Sequence, residues 1–294
     1  MTSKKPEQSP QKPNNDANTY VIDSESAAEM TRLRIQDMMV TKVMGGLFIE
    51  PLDVSQPRRI LDIACGPGGW ALEVAYKYPD CEVIGVDISQ LMIAYANTQA
   101  DVQELDNVNF HVMNVLQPLQ FDDNSFDVVN ARFLTFFMLK EAWQPLVREM
   151  VRITRPGGKI YLTETNDSGV TNSPAFQRWY ELFAKAYALA GRSFNPNGQH
   201  AGITPMLGKF LHEAGCQDIL EKMNVLNFSA GSEAQQNYYD NYKVAFLLAQ
   251  EFTIKMGLTT RAEANALYEQ VLLEMLQEDF RAHLYFLTVR GVKP

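Results

Sequence analysis

One stretch of the sequence decides the fold: Ile60-Leu61-Asp62-Ile63-Ala64-Cys65-Gly66-Pro67-Gly68-Gly69-Trp70. The apolar run that ends at Asp62 is typical of a buried parallel strand. The glycines that follow predict a tight turn, and the residues from Gly69 to about Tyr78 predict a helix. The stretch is therefore the first half of a nucleotide-binding βαβ unit, whose backbone and helix N-terminus can approach a ligand closely.

The next predicted strand ends in an acid. The segment 82–87 closes with Asp87, about twenty residues beyond the glycines, where a carboxylate can hold a ribose diol. This arrangement fits a dinucleotide or S-adenosylmethionine. The dinucleotide pattern has glycine where Ala64 stands, and the Asp62 carboxylate would repel a pyrophosphate but suits the ammonium of a methionine moiety. The stretch therefore favours S-adenosylmethionine over NAD.

Helices and short apolar strands alternate through the next part of the chain, with further strands predicted at 107–113, 126–131 and 159–164. This alternation predicts an α/β fold with a parallel sheet. The final strand, 283–290, is expected to add antiparallel at the sheet edge. Asn114 follows the third strand, where its amide oxygen can accept the adenine amino group and the Val115 N–H can meet a ring nitrogen. The alternative is an asparagine that only caps a turn.

Composition excludes several classes of protein. The chain has 294 residues, of which 46% are hydrophobic and 21% charged, and its net charge is −9. These values are typical of a globular protein, and the negative charge disfavours a nucleic-acid partner. The three cysteines have no metal-ligand spacing, and no apolar run reaches the ~20 residues of a membrane helix. Residues 1–19 lack a secretion signal, so we expect a disordered tail on a cytoplasmic protein.

Two aromatic or amphipathic segments flank this core. Residues 20–57 predict an N-terminal helical segment, either a lid that brings Tyr20 or Arg32 near the ligand or a helix that only packs. A helix that begins at Ser173 carries aromatic residues at helical spacing. This stripe favours a core position over a substrate wall.

With these elements in order, the sequence resembles the class I S-adenosylmethionine-dependent methyltransferases, and most closely the small-molecule branch that includes the ubiquinone/menaquinone-biosynthesis type. The resemblance rests on the segments 61–69, 85–87, 123–129, 146–149, 155–158 and 290–294. It implies a Rossmann-like, seven-stranded, mostly parallel sheet with the last strand antiparallel and helices on both faces. It further implies one methyltransferase domain over 20–294, with a cofactor-binding core at 58–170, acceptor-side helices from 171 onward and a helical cap at about 230–280.

The resemblance also implies roles for individual residues. The residues implied to line the methionine part are Ala64, Gly66, Pro67 and Gly68, with Asp62 near its ammonium. Asp87 would bind the ribose hydroxyls. The residues implied for the adenine are Ile88 and Met92 on its faces and Asn114 and Val115 at its edge. Asn130 and Arg132 would lie below the sulfonium. The family often has glycine where Ala64 stands and aspartate where Asn114 stands.

Methyl transfer from a sulfonium is an in-line displacement, so alignment and exclusion of water dominate. An oxygen or nitrogen acceptor must also lose a proton, for which His200 is the first candidate base and Glu164 the second. The aromatic residues expected to line the acceptor pocket are Tyr20, Phe133, Phe136 and Tyr180. Asn130 replaces the aspartate with which catechol-type enzymes hold magnesium, so no metal is expected.

These observations predict a methyltransferase that acts on a small aromatic or otherwise apolar metabolite. Two rivals stay open at this point. One is a regulatory protein that binds S-adenosylmethionine without turnover, and the other is an NAD-dependent oxidoreductase. The sequence does not identify the acceptor atom or the oligomeric state.

Overall fold

The computed structural model describes residues 22, 25–53 and 58–294. The strands are β1 (Arg59–Ile63), β2 (Glu82–Asp87), β3 (Val108–Val112), β4 (Phe126–Arg132), β5 (Thr154–Thr165), β6 (Val170–Thr171), β7 (Gln217–Asn227) and β8 (Ala282–Val292). The helices are α1 (Ala27–Met44), α2 (Gly69–Lys77), α3 (Gln90–Val102), α4 (Lys140–Ile153), α5 (Pro174–Leu189), α6 (Thr204–Glu213), α7 (Gln235–Lys255) and α8 (Arg261–Met275), and a short 3-10 helix covers Leu134–Phe136.

All eight strands form one sheet in the order β3-β2-β1-β4-β5-β8, with β7 on the far side of β8. The first five strands are parallel, and β8 is antiparallel to both β5 and β7. The predicted α/β fold with an antiparallel last strand is confirmed. The strand count is eight, because the two-residue β6 also pairs with β8. β8 lies one strand inside the edge at which the sequence predicted it, because β7 pairs along its other side.

Alternate residues of the central strands face two separate cores. Ile60 of β1 and Val83 of β2 pack with α2 and α3 on one face of the sheet. Their chain neighbours Leu61 and Ile84 pack on the other face, which α4, α5 and α7 cover. Successive strand residues point to opposite faces, so continuous apolar strands require helices on both sides. The predicted two-sided arrangement is confirmed.

Helix α1 is shorter than the sequence predicted. The Ser26 hydroxyl caps it by accepting the Glu29 N–H, and Gly45 ends it in the left-handed conformation at φ +80°. Its buried side includes Met39 and Met44, whereas Met38 is exposed. The helix lies against α7 and beside the carboxyl ends of the strands. In the described part of the chain, no helix is long and apolar enough to cross a membrane.

Candidate active site

The glycine corner after β1 and the acid at the end of β2 meet directly. The Asp87 carboxylate accepts the Gly66 N–H through Oδ2 at 2.9 Å and the Ser89 N–H through Oδ1 at 2.9 Å. Gly66 adopts φ +54° and Gly68 φ +79°, both in the left-handed region that favours glycine. The two features therefore face one crevice at the carboxyl ends of neighbouring parallel strands, where α/β sheets bind their ligands.

Ala64 also adopts a left-handed conformation, with φ +52°. This conformation costs an L-residue about 1–2 kcal/mol. The strained residue lies in the corner where the resembled family often has glycine, so the chain keeps the family's backbone geometry at an energetic cost.

A cleft with about 1110 Å³ of space opens above this corner. Ten predicted cofactor residues line it: Asp62, Ala64, Gly66, Pro67, Asp87, Ile88, Met92, Asn114, Val115 and Arg132. Gly68 and Asn130 lie behind this lining. A Cβ atom on Gly68 would come within 2.7 Å of the Phe110 ring, so Gly68 permits close packing, and its predicted contact with the cofactor stays a prediction. Asn130 is buried and donates from Nδ2 to Asp62 Oδ1 at 2.8 Å.

Asp62 lies at the floor of the cleft. Burial raises the pKa of its carboxyl to about 7, the Asn130 hydrogen bond opposes that rise, and the charge of Asp87 adds to it. A carboxyl destabilised in this way gains most from a cationic partner. The site therefore suits a ligand ammonium and disfavours a pyrophosphate.

The end of the cleft that is predicted to hold the adenine follows β2 and β3. Ile88 and Met92 line it from one loop and Val115 from the other, and both Met92 and Val115 are buried. The Asn114 amide oxygen accepts the Leu116 N–H at 3.0 Å, which leaves its second lone pair for an adenine amino group. Asn114 therefore fits both alternatives that the sequence left open: it caps a turn, and it also lines the cleft.

Helix α1 supplies cleft residues that the sequence did not identify. Asp37 forms an ion pair with Arg132, and Arg132 also donates to the Thr41 hydroxyl at 3.1 Å. Burial lowers the pKa of the Arg132 guanidinium to about 9. Gln36 lines the cleft on the same helix. The Asp37 carboxylate, in a helix that the sequence predicted as a possible lid, could have indicated a contact with the cleft. Its partner Arg132 lies far away along the chain, so the sequence did not pair the two residues.

A second cavity, the acceptor chamber, continues from the cleft. Its lining includes residues of α1, α5, α7 and the segment after β4: Ile22, Arg32, Gln36, Phe133, Phe136, Thr165, Asp167, Ser168, Trp179, Phe183, Tyr238, Asn241, Tyr242, Ala245, Phe246, Ala249 and Leu284. Four of these, Arg32, Gln36, Phe133 and Phe136, also line the cofactor cleft. The Trp179 and Phe246 rings stack at 3.7 Å between centroids. The aromatic stripe of α5 is therefore both core and chamber wall.

The predicted acceptor residues have different positions. Phe133 and Phe136 lie at the junction of cleft and chamber. Tyr180 lines a neighbouring cavity, and its hydroxyl donates to the Asn166 carbonyl at 2.9 Å. Tyr20 lies outside the described residues. The structure thus brings two of the four predicted residues to the chamber.

The two predicted bases do not line these cavities. Glu164 is buried, and its carboxylate accepts the Leu134 N–H at 2.5 Å and the Thr135 hydroxyl at 2.6 Å. Burial raises the pKa of Glu164 to about 8, and these hydrogen bonds oppose the rise. Glu164 thereby holds the turn after Phe133, which has φ +56°, at the junction of the two cavities.

The His200 ring is fixed by its own loop. Asn195 Oδ1 accepts two backbone N–H groups, from Asn197 and Gln199, so the Asn195 amide directs its Nδ2 toward His200 Nε2 at 3.0 Å. This hydrogen bond occupies the Nε2 lone pair and leaves the proton of the neutral ring on Nδ1. The predicted role of His200 as a base stays a prediction.

Several known proteins are similar to this chain in sequence or in fold. Residues 60–158 match the family described as "Methyltransferase domain". Methyltransferase str2 of Strobilurus tenacellus is 26% identical over 284 residues, which cover 92% of this chain and 95% of that protein. A demethylmenaquinone methyltransferase of Shouchella clausii (strain KSM-K16) is 30% identical over 150 residues, 50% of this chain and 60% of that protein. The YcgJ protein of Bacillus subtilis has a similar fold, with a TM-score of 0.53 and 16% identity over 89% of this chain and 98% of that one.

Fold and cleft together define a Rossmann-like enzyme that holds an adenosyl ligand at the carboxyl ends of its strands. The chain belongs to the class I S-adenosylmethionine-dependent methyltransferases, and S-adenosylmethionine is its methyl donor. The predicted family, enzyme class and cofactor are confirmed. Among the described residues, no group of three or more His, Cys, Asp or Glu side chains could hold a metal ion.

Proposed function

We propose that this methyltransferase modifies a small molecule whose aromatic or otherwise apolar body occupies the acceptor chamber. The observation that carries the proposal is the continuity of the two cavities, since Phe133 and Phe136 line both. A body in the chamber would therefore lie next to a ligand in the cleft. The demethylmenaquinone methyltransferase among the relatives, whose name indicates an apolar acceptor, supports the same substrate class.

The roles we propose for the cleft follow its polar groups. Asp62 holds the ammonium and Asp87 the ribose hydroxyls, while Asn114 accepts from the adenine edge. S-adenosylmethionine supplies an electrophilic methyl group on a sulfonium. Arg132 is paired with Asp37 of α1, so the same helix closes the cleft and excludes water. Alignment and water exclusion are then the main contributions of the chain to the reaction.

Selectivity for the acceptor would come from the few polar groups of an apolar wall. Tyr238 is buried in the chamber lining, and its hydroxyl has no hydrogen-bond partner within the described segments. Leaving such a hydroxyl unpaired costs about 1–3 kcal/mol. An acceptor with a polar group opposite Tyr238 would recover that cost.

The remaining predictions, on nucleic acid, cellular location and domain boundaries, still rest on the sequence. The net charge of −9 disfavours a nucleic-acid acceptor. The cytoplasmic location and the boundaries of core and cap stay proposals from the sequence, and residues 1–19, which were predicted as a tail, lie outside the described residues.

Calorimetry with S-adenosylhomocysteine and a panel of labelled acceptors tests the proposed function. We expect S-adenosylhomocysteine to bind at micromolar concentration, and methyl transfer from labelled S-adenosylmethionine to occur on an apolar small molecule. Phe183→Ala, at a residue that lines the chamber and not the cleft, should raise the KM for that acceptor while the affinity for S-adenosylhomocysteine changes less than twofold. Transfer only to nucleic acid or protein, or no binding of S-adenosylhomocysteine, would contradict the proposal.

A further inference from the structure

Asp167 is a carboxylate that the sequence did not single out. It lies two residues after β5 and lines both the acceptor chamber and the neighbouring cavity that contains Tyr180. Its Oδ1 atom accepts the Gly169 N–H at 2.9 Å. For Oδ2, the described residues provide no hydrogen-bond donor. Asp167 therefore presents an available acceptor atom beside the chamber.

The loop that carries Asp167 is held in place from two sides. The Tyr180 hydroxyl of α5 donates to the Asn166 carbonyl, and the Tyr242 hydroxyl of α7 donates to the Ser168 carbonyl. The Thr165 hydroxyl donates to the Asp167 carbonyl at 2.9 Å. These contacts fix the backbone on both sides of Asp167, so its carboxylate is preorganised toward the cavities.

The only other charged group among the described chamber-lining residues is already neutralised. Arg32 makes a two-pronged ion pair with the buried Glu29, at 2.7 Å for each hydrogen bond. It also donates to Gln36 and Asn241. At least four of the five guanidinium donors are thus used within the protein. The chamber therefore has an uncompensated negative charge at Asp167 and disfavours an anionic acceptor.

The rest of the wall suits a cation. Six aromatic side chains other than Tyr238 line the chamber: Phe133, Phe136, Trp179, Phe183, Tyr242 and Phe246. Aromatic faces attract ammonium groups, and the attraction increases when water is excluded. A carboxylate among such faces lacks solvent to stabilise its charge, and burial accordingly raises the pKa of Asp167.

We propose that the methyl acceptor is an amine on an apolar body, and that Asp167 binds its ammonium and takes its proton. This proposal rests on the proposed function, because it identifies the substrate class of the same chamber. One N–H proton passes to Asp167 Oδ2. The nitrogen lone pair then forms the N–C bond to the methyl group, the C–S bond breaks, and its electron pair stays on sulfur. The proton leaves Asp167 for solvent after product release.

Several parts of the chain place titratable side chains near Asp167. Tyr180 and Tyr242 face it from α5 and α7, His200 approaches from the loop before α6, and the neutralised Arg32 lies on α1. His200 lowers the pKa of Asp167 where burial raises it.

The binding experiment uses tryptamine and tryptophol, which differ in an ammonium and a hydroxyl on the same apolar body. Calorimetry is performed with the full chain saturated with S-adenosylhomocysteine. We expect tryptamine to bind at least tenfold more tightly than tryptophol, and Asp167→Asn to abolish that preference while tryptophol affinity changes less than twofold. Asp122→Asn, a change in an exposed loop, is the matched control and should keep the preference.

The turnover experiment uses a set of apolar primary and secondary amines and their neutral isosteres, with labelled S-adenosylmethionine. We expect methylated amine from the wild type, and a loss of about 10²-fold in kcat for Asp167→Asn at unchanged S-adenosylhomocysteine affinity. Methylation of phenols or carbon acids only, an amine preference that persists in Asp167→Asn, or binding of S-adenosylhomocysteine without binding of any amine would overturn this proposal and leave the proposed function intact. Failure to bind S-adenosylhomocysteine would contradict the proposed function itself.

Discussion

The cofactor cleft and the acceptor chamber are built in different ways. The cleft takes most of its lining from three loops at strand ends between residues 62 and 116. The chamber takes its lining from several distant helices, including Arg32 on α1, Trp179 on α5 and Phe246 on α7, and the first and last of these lie more than two hundred residues apart along the chain.

Because of this difference, the two regions should tolerate different amino-acid substitutions. A cleft built from loops at strand ends depends on a few positions with special backbone geometry, such as Gly66, and on the carboxylates Asp62 and Asp87 that line it. A chamber built from packed side chains shares its walls with the core, because Phe246 and Trp179 are both buried. Substitutions in the cleft should therefore affect the cofactor first, and substitutions in the chamber should affect acceptor and stability together.

The largest effect is expected in the chamber. Phe246 contacts Trp179, Phe176 and Tyr242 within 5.0 Å between ring centroids and is fully buried. Phe246→Ala should lower the free energy of unfolding by about 3–5 kcal/mol, since truncation of a buried aromatic leaves a cavity. Urea denaturation measures it. Phe126→Ala, at an equally buried site away from the chamber, should lower the free energy of unfolding by a similar amount but leave the acceptor KM of the folded enzyme unchanged. If Phe126→Ala weakened acceptor binding as much as Phe246→Ala, the proposed separation of cleft and chamber would be contradicted.

The next largest effect is expected in the cleft. Asp87→Ala removes the proposed acceptor of the ribose hydroxyls, and hydrogen bonds to charged groups are worth about 1.5–3 kcal/mol. Affinity for S-adenosylmethionine in calorimetry should fall by roughly 10- to 150-fold. Asp80→Ala, an exposed carboxylate after α2, is the control. An unchanged affinity for Asp87→Ala in a protein that melts normally would remove the ribose assignment.

The smallest effect is expected at Asp62, and it tests the proposed contact of this carboxylate with the ligand ammonium. Its pKa is raised to about 7 in the free protein, and an ammonium beside it would lower that value, so binding releases a proton. Affinity should then be greatest above pH 7 and weaken by up to roughly tenfold for each unit below it. Calorimetry between pH 5.5 and 7.5 measures this slope. Asp62→Asn keeps the shape without the charge and should give a flat profile, whereas a slope equal to that of the wild type would place the titrating group elsewhere.

The sequence predicted the cleft well because its determinants are local. An apolar strand, a glycine turn and an acid at the end of the next strand are read within thirty residues, and parallel strands bring their ends together. For Gly68 the sequence leaves the role undecided, because a glycine that admits a ligand and one that admits the Phe110 ring look the same in sequence. The same limit applies to Asn130, which the fold turns toward Asp62 instead of the cleft lining.

The sequence by itself determined the α/β fold, the order of its core elements and the adenosyl-binding corner, because periodicity and turn chemistry are properties of neighbouring residues. Tertiary structure alone decided which carboxylates face the ligands. It buried Glu164 of β5 behind a turn and presented Asp167, two residues after the same strand, to the chamber. The reason is physical: strand alternation and loop hydrogen bonds set the direction of each side chain, and their partners, such as Leu134 and Tyr242, lie far away in the chain.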